Sequence, residues 1–186
     1  MKRLLYITVL TIALSAIATT ARAQGAIRVA VGTSFNQLDP ALTTIGDEYV
    51  YVHLVFNGLT RIDHSLSVKP DLAESWTMSE DLKKWTFKLK PNVKFHHGRT
   101  LDADDVVFSF RRMLDPANPW HKVAQNGFPH AQSMQLPELI KRVEKSGDHQ
   151  VLFVLDHPDA TFLPMLSMGF ASIYSAEYAD QLMKAG

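Results

Sequence analysis

Residues Asp71–Phe110, DLAESWTMSEDLKKWTFKLKPNVKFHHGRTLDADDVVFSF, decide how this chain folds. Within them Trp85, Phe87 and Leu89 alternate with Thr86, Lys88 and Lys90, and a period of two puts the rings and the leucine on one face of a half-buried strand. Glu74 to Met78 reads as a preceding strand, with Ser79, Glu80 and Asp81 as polar turn residues between the two. Pro91 has no N–H for a ladder bond, so the second strand stops there or lies at a sheet edge. Past a turn at Gly98, Asp102 is placed to cap a helix whose first turn holds Asp104 and Asp105 at the positive end of the helix dipole. Val106, Val107, Phe110, Met113 and Leu114 follow at helical spacing. The stretch is therefore a hairpin, a turn and a capped helix, and it carries no catalytic motif.

Upstream of it, Ala26–Thr33 predicts a short strand with Ile27, Val29 and Val31 on one face, leaving at Gly32 into a polar run that ends in Leu38-Asp39-Pro40. Backbone beside a glycine can be approached closely, which makes this loop a candidate ligand contact, although the residues alone favour an ordinary strand exit. Asp47 to Leu59 is apolar on nearly all sides and reads as a buried helix closed by Asn57-Gly58. Leu59 to Ile62 resumes as a short strand, followed by a turn at Asp63-His64-Ser65.

Downstream, Pro116 and Pro119 stop the helix, and the chain to Pro137 is loop-rich, with Trp120 either a surface aromatic or, the better reading, a loop anchor. Ile140 to Lys145 and Val151 to Leu155 flank Ser146-Gly147-Asp148-His149 as a second hairpin, although Leu136 to Val143 can also start as a helical turn. A short helix from Pro158 through Met165 has Asp159 as its cap, Phe170 to Tyr174 reads as a small strand, and Ser175 caps a final helix.

Met1-Lys2-Arg3, the apolar run Leu4 to Ile17 and Ala21-Arg22-Ala23 form a secretory signal pattern, with cleavage expected near Ala23. The alternative is a membrane anchor, but the run is shorter than the ~20 residues that span a bilayer. Residues 1–23 are thus read as a signal peptide and 24–186 as the mature chain, with no stable membrane insertion after cleavage. No cysteine occurs among the 186 residues, which excludes disulfides and thiol catalysis. Removing Lys2, Arg3 and Arg22 leaves 16 basic residues against 19 acidic ones, a formal charge of −3, and no nucleic-acid partner is expected from that balance.

Enzyme signatures such as G-x-S-x-G, H-E-x-x-H or a P-loop are absent, so no catalytic residues are assigned and the chain is read as a non-enzyme without a cofactor. His96-His97 is the one adjacent pair among eight histidines, and neighbours on a strand point to opposite faces, so no metal site is assigned. Asp102, Asp104 and Asp105 lack the glycine and distal glutamate of a calcium loop and read as helix capping.

Taken in order, Leu38-Asp39-Pro40, Phe56-Asn57-Gly58-Leu59, Pro70-Asp71-Leu72-Ala73-Glu74-Ser75-Trp76, Trp85-Thr86-Phe87-Lys88-Leu89, Val93-Lys94-Phe95-His96-His97-Gly98 and Ala103-Asp104-Asp105-Val106-Val107-Phe108-Ser109 form one pattern. It resembles the extracytoplasmic solute-binding proteins, family 5, of peptide-type ABC transporters. Asn118 to Val123, Leu136 to Ile140 and Phe170 to Ala179 look like the dipeptide-binding and Sap-type branches. Leu82 stands where the family usually has a glycine, and His97 where it usually has aspartate.

The resemblance implies an α/β fold: a type II periplasmic-binding-protein lobe with an extra hairpin and helix subdomain at about 47–175, incomplete because the second lobe is absent. Members of the family are much longer, so the chain is expected to be an N-terminal portion. The implied function is periplasmic capture of small peptides, as a monomer, for inner-membrane ABC permease subunits. Haem, polyamine or metal-complex binding within the same family is the alternative, and a secreted hydrolase the alternative outside it. From this lobe the resemblance implies ligand contacts at Gly32, Thr33, Ser34 and Phe35, where an extended peptide adds as a strand. The groups that fix peptide termini are implied to lie mainly in the second lobe, so residues 24–186 alone are expected to bind peptide very weakly or not at all.

Overall fold

The computed structural model describes Gly32, residues 37–124 and residues 126–185. The expected signal peptide and, apart from Gly32, the strand expected over Ala26–Thr33 lie outside the described residues. Residues 37–185 belong to one structural unit, and everything that follows concerns that unit.

In chain order it contains α1 (Glu48–Val55), β1 (Thr60–Ile62), β2 (Val68–Pro70), β3 (Ala73–Met78), β4 (Lys84–Leu89), α2 (Ala103–Leu114), α3 (Pro119–Val123), α4 (Pro129–Ser133) and α5 (Leu136–Leu139). Then come β5 (Ile140–Gly147), β6 (Gln150–Leu155), α6 (Phe162–Met165), a 3-10 turn (Gly169–Ala171) and α7 (Ala176–Ala185). β1 and β2 pair as a small ribbon, and the other four strands form an antiparallel sheet in the order β3-β4-β6-β5.

The period-two pattern produces that sheet. Trp85 pairs with Phe153 and Phe87 with Val151, so the alternating apolar residues of β4 and β6 share one face. Phe87, Leu89, Val151 and Phe153 are buried almost completely. Asp102 starts α2 with a reciprocal cap: its carboxylate accepts the Asp104 and Asp105 N–H groups, while the Asp105 carboxylate accepts the Asp102 N–H. Val106, Phe110 and Met113 then face the sheet, and the Phe110 ring meets Phe153 edge-on at 4.8 Å between centroids. Both expected hairpins are present. Leu136–Val143 resolves into both readings in succession, α5 and then β5 from Ile140.

Three expectations are corrected. The helix expected over Asp47–Leu59 spans only Glu48–Val55 and is not buried all round: Val50 is 50% exposed and Leu54 75% exposed. One stripe, Tyr49 and Val52, packs on the 3-10 turn at Gly169, where the Tyr49 ring lies so close that no Cβ would fit. Phe170–Tyr174 is not a strand. Its polar backbone groups find partners outside any ladder: the Ile173 N–H donates to Asn57 O at 3.0 Å and the Tyr174 N–H to Ser109 Oγ at 2.8 Å. Asp159 does not cap a helix starting at Pro158; its carboxylate accepts the Thr161 N–H at 2.6 Å, and α6 starts one turn later. Ser175 does cap α7 as expected, accepting the Tyr178 N–H at 3.2 Å.

Candidate functional site

Between α2, α7 and the loop Val93–His97 lies a cavity of 680 Å³ whose wall is mostly aromatic and aliphatic. Phe56, Phe95, Phe108, Trp120, Ile173 and Tyr178 contribute to it. Trp120 is held edge-on against Phe108 at 6.1 Å, which makes it an anchor and a cavity residue together.

Asp39, Arg112 and Tyr174 form a polar group in this wall, which Asn57, Lys94, His96, His97 and Ser175 also line. Arg112 stands in the last turn of α2, and its guanidinium donates in parallel to both Asp39 oxygens, at 2.6 and 2.8 Å. The Tyr174 hydroxyl donates to the same carboxylate at 2.6 Å. The guanidinium carbon lies 4.1 Å from the centre of the Tyr174 ring and 5.3 Å from that of Phe128. The Arg112 side chain is only 6% exposed. Burial alone would raise the Asp39 pKa, but the hydrogen bonds and charge of Arg112, the Tyr174 hydroxyl and the Ala41 amide hold it below its ordinary value. Burial and the neighbouring Asp39 charge push the Tyr174 hydroxyl well above its own.

A second polar cluster joins the same elements. Asp105, fully buried, accepts the Ala176 N–H at the start of α7 at 2.9 Å and is ion-paired with Arg99. Arg99 also reaches Glu177 at 3.1 Å, and Ser109 Oγ donates to Asp105 O at 2.7 Å while accepting from Tyr174. Desolvation raises the Asp105 pKa in spite of these donors. His97 stacks between Phe95 and Tyr178, with ring centroids 5.7 and 5.3 Å away.

No catalytic arrangement emerges from these contacts. Ser175 Oγ lies 3.4 Å from His97 Nε2, yet the same hydroxyl serves as the α7 cap, and among the described residues no carboxylate orients that imidazole. Among the described residues no three His, Asp or Glu side chains come together as metal ligands. No helix of the described residues is long and apolar enough to cross a membrane.

Of the four ligand contacts that the resemblance implies, Gly32 sits at an exposed bend, and Thr33, Ser34 and Phe35 lie outside the described residues. Sequence reasoning did not find Arg112 or Tyr174 and used Asp39 only as part of a motif. One of two adjacent arginines, Arg111 and Arg112, at the end of an amphipathic helix gave no signal. The clue available was the position of Arg112 on the otherwise buried side of α2, three residues after Ser109 and seven after Asp105.

Residues 67–185 match the model of the bacterial extracellular solute-binding proteins, family 5, middle region. The chain belongs to this family. It is 79% identical over 126 residues to a probable di/tripeptide-binding protein of Pseudomonas aeruginosa, a match covering 64% of this chain and 24% of that protein. A heme-binding protein A of Haemophilus influenzae is 46% identical over 155 residues, covering 79% of this chain and 28% of that one. The crystal structure of a dipeptide-binding protein from a Pseudoalteromonas species in complex with Met-Leu superposes with a TM-score of 0.73 at 33% identity, over 80% of this chain and 31% of that one. The mixed α/β architecture is thus that of the periplasmic binding proteins, and this family member spans about a quarter to a third of the length of these relatives. Family and relatives alike are binding proteins.

Proposed function

We propose that this chain is part of an exported binding protein that captures di- or tripeptides and hands them, as a monomer, to the permease subunits of an ABC importer. The 79% identity to a probable di/tripeptide-binding protein carries this reading. The described residues support it chemically, because they offer a largely apolar cavity in which Asp39 and Arg112 pair with each other, rather than a nucleophile and base. In this reading residues 1–23 are a signal peptide removed near Ala23, and about 47–175 forms a subdomain of the first lobe. Gly32, Thr33, Ser34 and Phe35 face the ligand, pairing backbone to backbone with an extended peptide. Two lobes close on the ligand by a hinge, so capture requires both.

Calorimetric titration of the intact protein with Met-Leu tests the proposal. Micromolar binding of the dipeptide, with none by residues 24–186 alone, is the expected result. No heat with Met-Leu and saturable binding of haem instead would overturn it in favour of the haem reading that the Haemophilus relative suggests.

A further inference from the structure

We propose that Asp39, Arg112 and Tyr174 are positioning residues for ligand capture: they fix the Leu38-Asp39-Pro40 turn, which contributes to the wall of the 680 Å³ cavity. The inference rests on the peptide-binding reading above. Three observations carry it. The donors of two distant segments, 73 and 135 residues from Asp39 in sequence, converge on this one carboxylate. Asp39 in turn organises the backbone around itself, because its Oδ1 accepts the Ala41 N–H at 2.9 Å and its carbonyl accepts the Leu42 and Thr43 N–H groups at 3.0 and 3.1 Å. Both Leu38 and Asp39 line the 680 Å³ cavity, so the turn held in this way is also part of that wall.

Stability alone does not account for such an arrangement. Withdrawing two charges from water costs about as much as their attraction returns, and an apolar set of similar volume holds a core equally well. What an apolar set lacks is direction: a bidentate fork accepts one orientation of the carboxylate, and the Tyr174 ring beneath the guanidinium fixes the plane of the fork. The Arg112 Nε–H has no acceptor among the described residues, which leaves the parallel pair to Asp39 as the contact that sets where the side chain lies.

The test compares the intact protein with two variants, Tyr174→Phe and the apolar triple variant Asp39→Leu, Arg112→Met, Tyr174→Phe. Each is titrated with Met-Leu, and hydrogen exchange is followed without peptide at the Ala41, Leu42 and Thr43 amides and at the Val151 and Phe153 amides of the sheet. The triple variant is expected to melt close to the unaltered protein and to bind Met-Leu at least fivefold more weakly. Tyr174→Phe, which keeps the ring and loses one hydrogen bond, is expected to speed exchange at Ala41–Thr43 at least fivefold with no change in the sheet. Unchanged affinity in both variants, or exchange that rises equally in the sheet, would overturn the positioning role. If the unaltered protein binds no peptide, the peptide reading fails, and the exchange measurement still decides whether the clamp fixes the turn.

Discussion

The sheet β3-β4-β6-β5 and the joint around Asp39 and Arg112 lie in one unit and are held together by opposite means. On the buried face of the sheet, Phe87 and Phe153 pack ring against ring with Phe110 of α2 and Phe162 of α6 at 4.8 to 5.6 Å, with no charge among them. At the joint, polar atoms of residues 39, 105, 109, 112 and 174 are linked by directed hydrogen bonds, with Asp39 Oδ1 accepting from both Arg112 and Tyr174. Apolar packing tolerates exchange of one hydrophobic shape for another, whereas a matched polar set fails when one member is lost. The comparison assigns cohesion to the sheet and orientation to the joint.

The sharpest way to break this division is to empty the sheet. Phe153 is fully buried and touches the rings of Phe87, Phe110 and Phe162, so Phe153→Ala is expected to cost about 4 kcal/mol, as large cavities in cores do. Urea unfolding of the intact protein followed through Trp85, which packs on Phe162 at 5.5 Å, reads this out. A loss below about 1 kcal/mol would mean that cohesion lies elsewhere.

The joint responds to acid. Asp39→Asn is expected to cost about 2 kcal/mol near neutral pH, since it leaves the Arg112 charge buried without its counter-ion. The folded-state pKa of Asp39 lies below 3.8, so on acidification the unfolded chain takes up this proton first. The contribution of the carboxylate is therefore complete above 3.8 and is lost as pH falls from there through the folded value. Urea midpoints of the two proteins should keep their separation from about pH 7 to pH 5 and converge below pH 4. A separation that stays constant would remove the charge from the account of the joint.

This division also separates what was legible in the sequence from what was not. Trp85, Phe87 and Leu89 announce their strand within five residues, and Asp102 and Asp105 announce their helix within four, because period and cap are local. The family pattern was legible for the same reason, as short motifs in order. Arg112 acquires meaning from Asp39 and Tyr174, partners 73 and 62 residues away, and no period connects them. Phe170–Tyr174 misled because a short run of mostly apolar residues suggests a strand, while its backbone groups bond to a loop carbonyl and a serine hydroxyl. In α1 an apolar composition suggested burial, yet one stripe alone meets the neighbouring 3-10 turn.

The smallest expected effect concerns the turn between β3 and β4. Leu82 adopts the left-handed conformation, with φ 57°. Its N–H donates to Ser79 O at 2.9 Å and its carbonyl accepts the Trp85 indole N–H at 3.1 Å, so these bonds hold a residue with a Cβ in a left-handed backbone. A left-handed residue with a Cβ costs about 1–2 kcal/mol, and a glycine in its place gives back about 0.5–1 kcal/mol through the freer unfolded chain. Leu82→Gly is therefore expected to stabilise the protein by about 0.5 kcal/mol, since Leu82 is 43% exposed and loses little packing. Leu82→Ala keeps the left-handed strain and should bring no gain. Equal stabilisation by both variants would show that the leucine side chain, not the backbone, is the cost, and that the hairpin owes its register to β4 and β6 rather than to its turn.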